Sequence, residues 1–165
     1  MKYTLTSLKR TLLLLLVTAV VLPATVWTQN KKNKTTDIKN IVEARNYTFV
    51  AQTVLPSAGG SRQLTTDFDL QVAKDTIMSN LPYFGRGYSA PINPAQGPLE
   101  FTSTNFDYKV TTNKKGGWDI VITTKDQQDR KQLTLSVFNN GNASASVISN
   151  NQQPISFTGY VKARK

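Results

Sequence analysis

Few residues in this chain can do chemistry. Asp67 and Asp69 lie two apart. On an extended strand that spacing puts both carboxylates on one face. Such a pair could move protons or hold calcium. But Phe68, Leu70 and Val72 alternate with them and claim the inner face, so the aspartates are expected to face water. Histidine and cysteine are absent. That removes the side chain that titrates near neutrality, the commonest zinc ligand, and all thiol chemistry. Neither a G-x-S-x-G elbow nor a phosphate-binding glycine loop occurs. The expectation is a non-enzymatic protein with no metal site and no cofactor.

Binding residues are easier to find. The stretch Leu81 to Pro91, LPYFGRGYSAP, sets Tyr83, Phe84, Arg86 and Tyr88 among two glycines and two prolines. Pro82 ends a strand, because it cannot donate to a ladder. Three aromatic rings are too apolar for a loop left in water. One reading folds them back over a barrel end, with Arg86 bonded to loop carbonyls or a carboxylate. The other makes the stretch a ligand lid, in which the rings stack and Arg86 grips an anion. The sealing loop is the expected arrangement. Tyr83, Phe84, Arg86, Tyr88 and Trp118 are the candidate ligand contacts.

The elements that position them are nearly all strands. Residues 37–45 suit a short helix, with Ile38, Ile41 and Val42 on one face. Tyr47 to Leu55 is rich in β-branched and aromatic residues. A tight turn at Lys74-Asp75 pairs Val72 with Ile77. Pairing Thr112 with Trp118 sets Val110 opposite Ile120 and Tyr108 opposite Ile122. The Asn139-Asn140-Gly141 loop allows two registers. A two-residue turn mixes faces, whereas a three-residue loop with Gly141 in the left-handed region sets Val137, Leu135 and Leu133 against Ala143, Ala145 and Val147. Ile155, Phe157, Gly159 and Val161 mark a last strand. The count is about nine short strands joined in order, an antiparallel meander. Closure into a β-barrel hides its edges; a β-sandwich is the alternative.

The N-terminus reads as an export signal over residues 1–28. Lys2, Lys9 and Arg10 precede an apolar run from Thr11 to Leu22, and Pro23 breaks it. The run is shorter than the ~20 residues of a spanning helix. Lacking cysteine, the chain is not expected to be a lipoprotein. Residues 29–45 form a basic lead-in and the short helix, and 46–162 a single barrel domain. The formal net charge is +10. Three positive charges leave with the signal. Most of the rest sit in two tails, at Lys31, Lys32, Lys34 and Lys39 and at Lys162, Arg164 and Lys165, so residues 40–161 carry only +1. A nucleic-acid reader would carry that charge on a folded face. The tails suit at most weak contact with an anionic membrane surface.

Several words of the sequence resemble one family. LPYFGRGYSAP, GPLEF, GGWDIVI, LTLSVFNNGNASASV and ISFTGYV occur in order between Tyr47 and Val161. Together they resemble the domain-of-unknown-function 4251 family, exported proteins of Gram-negative bacteria. The resemblance implies a lipocalin-like β-barrel and supports the barrel over the sandwich. It implies no activity, and no catalytic residue carries over.

Two functions follow for a secreted or periplasmic barrel. In the first it binds a small apolar or amphiphilic ligand, with Ala143 and Ala145 leaving room inside. In the second it is an envelope interaction protein, its barrel filled and its loops displayed. An apolar interior cavity of about 300 Å³ or more favours the first, and a packed centre the second.

Overall fold

The computed structural model describes residues 37–88, 97, 99–114 and 116–164. All belong to one compact unit, Lys34–Lys165. The export signal, the lead-in to residue 36 and most of the loop at 89–98 lie outside the described residues. Helix α1 spans 37–43. Nine strands follow: β1 Tyr47–Pro56, β2 Arg62–Val72, β3 Ile77–Asn80, β4 Glu100–Ser103, β5 Phe106–Thr112, β6 Trp118–Thr124, β7 Lys131–Val137, β8 Asn142–Ser149 and β9 Ile155–Ala163.

They form one antiparallel sheet in the order β4-β3-β2-β1-β9-β8-β7-β6-β5. Neighbours in the sheet are neighbours in sequence, except that β1 pairs with β9. The two edges are therefore β4 and β5, which only Thr104 and Asn105 separate. Three chain steps span at most about 11 Å. The chain passes from one edge to the other in that distance only if the sheet curls until its edges meet. The result is a nearly closed barrel, not a sandwich.

Among the described residues no ladder joins the edges, and the β6–β7 loop clasps them instead. Asp126 accepts from Ser103 Oγ at 2.6 Å, from the Thr104 amide at 2.7 Å and from the Asn105 amide at 3.1 Å. The Ser103 hydroxyl above all, with these amides adding to it, holds its carboxyl down at about 2 against the opposing effect of desolvation. Gln127 Nε2 donates to the Thr102 carbonyl at 2.8 Å, and Lys125 pairs with Asp107 at 2.6 Å.

The hairpin registers match the expected pairings. Val72 faces Ile77, Thr112 faces Trp118, and Val137 faces Ala143. Gly141 has φ +86, a region that disfavours side chains. The sequence did not suggest that β2 begins at Arg62. Its first half is polar and exposed apart from the half-buried Leu64, so it shows little alternation. A bulge at Gln52 shifts the β1 register. Gly159 lies opposite it, and a Cβ there would strike the Val50 carbonyl, so glycine is required.

Among the described residues the centre is closely packed. Phe49, Leu70, Val72, Ile77, Ile120, Ile122, Leu133, Leu135, Val137 and Phe157 have 0% exposure. A side chain with no accessible surface borders no void wide enough for water. Ala145 has Leu135 and Phe157 as its two cross-strand partners. The small Ala145 leaves room for Phe157. Helix α1 buries Ile38 and Val42 against the same core, with Ile38 Cδ1 beside Gly141.

Candidate functional site at the loop end

The barrel has two unlike ends. One carries α1 and the β7–β8 turn. The other carries the loop after β3 and the β8–β9 loop, which dock through their backbones. The Tyr88 amide donates to the Asn151 carbonyl at 2.7 Å, and the Gln153 amide to the Arg86 carbonyl at 3.1 Å. Gly87 and Gln152 form a β-bridge between them.

Leu81 and Leu99, which flank the loop, are buried to 1% exposure. Tyr83 packs against the core. Its hydroxyl donates to the Arg86 carbonyl at 2.8 Å, with the Gln153 carbonyl a second acceptor at 3.2 Å. Desolvation raises its pKa, the Gln153 carbonyl bond opposes this, and Tyr88 adds to it. The ring occupies the space where a Cβ at position 85 would sit, which explains Gly85. Of the three rings, Tyr83 is the one that packs inward, as a sealing residue would.

Phe84 and Tyr88 do not. They remain 42% and 67% exposed, because the bridge to Gln152 holds the backbone at the rim and turns these rings outward. The Arg62 guanidinium lies 5.3 Å from the Phe84 ring centroid. Loop carbonyls or a carboxylate are the expected partners of Arg86; its exposed side chain makes no ion pair among the described residues. Four of the five candidate residues thus share one rim. Trp118 does not join them. It faces Val137 beside the β7–β8 turn, at the opposite end, with 8% exposure.

Asp67 is exposed and Asp69 half-buried, and Asp69 accepts from Gln71 Nε2 at 3.1 Å. Asp69 and Gln71 line an outer groove of about 370 Å³ together with Met78, Asn80, Glu100 and Thr102. It runs over β2, β3 and β4, outside the barrel. No group of three metal-ligating side chains occurs among the described residues.

Sequence reasoning missed one inward charge. Lys131 is 6% exposed. Its Nζ lies 3.3 Å from Asp129 Oδ2 and donates to the Asp129 carbonyl at 3.1 Å. It also sits 5.2 Å from the Phe101 ring centroid. Lys131 pairs with Ser149 and is in phase with Leu133, Leu135 and Val137. Continuing that alternation one step back would have turned it inward.

An antiparallel barrel with a filled centre and a sealed, loop-bearing rim defines a class of fold rather than an activity. Residues 29–161 match the family described as Domain of unknown function (DUF4251), and the chain belongs to that family. It is similar in fold to the crystal structure of a DUF4251 family protein from Bacteroides eggerthii DSM 20697. The TM-score is 0.59 at 18% identity, over 79% of this chain and 87% of that one. No curated protein matches.

Proposed function

We propose that this chain is an exported, non-enzymatic interaction module of the bacterial envelope, which recognises a partner protein through the rim that holds Phe84, Arg86 and Tyr88. One observation carries the reading. Two large rings stand exposed beside Arg62 and Arg86 on a docked loop. Aromatic and arginine side chains dominate the energetics of protein interfaces, and a loop braced by Tyr83 presents them at little entropic cost. The filled centre speaks against a ligand held within the barrel. Export is supported by the basic, apolar and proline-broken pattern of residues 1–28.

Native mass spectrometry of protein purified from its own envelope tests this. The expected spectrum shows the processed chain without a small molecule, and a partner complex that Phe84→Ala with Tyr88→Ala removes. A stoichiometric apolar molecule bound to a chain that keeps no partner would overturn it.

A further inference from the structure

The opposite end of the barrel carries a second arrangement, centred on Arg45. This residue has φ 50, the one positive value at a non-glycine position among the described residues. It closes α1. The Arg45 amide donates to the Val42 carbonyl at 3.1 Å and the Asn46 amide to the Ile41 carbonyl at 3.0 Å. That is the Schellman ending, whose left-handed position is usually glycine. A strained non-glycine residue there suggests a use for its side chain.

The guanidinium stacks on Tyr108, 4.4 Å from the ring centroid. The Tyr108 and Tyr47 hydroxyls lie 3.3 Å apart. Two bonded hydroxyls use one proton between them and leave the other free. Tyr47 is fully buried and Tyr108 half-buried. Burial raises both pKa values, most for Tyr47, so both hydroxyls stay protonated; the Arg45 charge acts on both in the opposite sense. Arg45 is exposed and in no ion pair among the described residues, so the edge of its donor fork is available.

An exposed valine adjoins this corner. Val110 shares the inner face of β5 with Tyr108, opposite the buried Ile120. Yet Val110 is 45% exposed, because β5 is an edge strand. Cationic fork, hydroxyl donor and the exposed Val110 side chain thus lie side by side.

The geometry points to a site for a carboxylate-headed amphiphile, its head on Arg45 and the Tyr108 hydroxyl, which the buried Tyr47 hydroxyl backs, and its tail along Val110. A planar fork matches a carboxylate, and Val110 favours an acyl chain over a bare anion. This site lies away from the rim of the proposed interface, and it needs no interior cavity.

The test is calorimetric titration of the full processed chain with decanoate below its micellar range, beside decyl maltoside and inorganic phosphate. Decanoate is expected to saturate at one per chain, with the other two at least about tenfold weaker. Arg45→Gly fits the left-handed backbone, so it should melt no lower than wild type while losing about tenfold or more in decanoate affinity. Arg45→Lys should not restore it. No saturable decanoate binding, equal binding by Arg45→Gly, or equal binding of phosphate or decyl maltoside would overturn the proposal.

Discussion

Ala145→Leu measures directly how full the barrel is. Ala145 is 1% exposed, and its cross-strand partners Leu135 and Phe157 are at 0%. The substitution adds three carbons to a wall already in contact. Extra methylenes in a packed core force side chains off their rotamers, at about 1–3 kcal/mol. The reverse change, Leu135→Ala, opens a cavity on the same cross-strand pair and should cost about 2–5 kcal/mol. With a urea m-value of about 1–3 kcal/mol/M, either variant should move the midpoint down by about 1 M. Paired urea melts by circular dichroism read both. An Ala145→Leu midpoint at or above wild type would mean that the added carbons found empty space, and the filled centre would be wrong.

Other outcomes follow from particular contacts. Gly141→Val should destabilise by more than about 1 kcal/mol, since it strains the left-handed position, while Asn142→Val on the exposed next residue should be far milder; equal urea midpoints would contradict the turn. Gly159→Ala should cost at least about 2 kcal/mol, because its Cβ meets the Val50 carbonyl; a wild-type melt would refute the close approach at the bulge. Tyr83→Ala should lower the melting midpoint, whereas Phe84→Ala and Tyr88→Ala should leave it unchanged, and a drop for all three would restore the sealing role to the whole loop. Asp126 has a folded pKa of about 2, below its ordinary 3.8. Its contribution is therefore present above the unfolded value and lost as pH falls through the folded one. Asp126→Asn should flatten the acid side of the stability profile, and an unchanged slope would remove the clasp from the account.

The sequence made the hairpins legible and the seam not. Leu133, Leu135 and Val137 could face only one apolar set, so their register was determined by pattern alone. The β4–β5 corner has no such pattern. Thr104 and Asn105 look like any turn, and what makes them a crossing from edge to edge is the pairing of β1 with β9, a contact between the two ends of the domain. The clasp is likewise non-local, for Asp126 reaches residues more than twenty positions away. At the rim, composition singled out four residues of one loop. It did not separate Tyr83, turned inward over Gly85, from Phe84 and Tyr88, turned outward by the bridge to Gln152. Trp118 was grouped with them by residue type, although its strand places it at the other end. Lys131 was overlooked because a charge at a strand start reads as loop, while its phase with Leu133 places it inside.

The interaction surface is the central claim, and a photo-activated crosslinker placed at Tyr88 tests it most directly. In the full chain, expressed in its own cells and irradiated, the account predicts one discrete adduct with an identifiable envelope protein. That adduct should fade when Phe84→Ala or Arg86→Ala is added, and it should be absent when the crosslinker stands at the exposed Gln132 on β7. No adduct at position 88, or the same adducts from both positions regardless of Phe84 and Arg86, would contradict it.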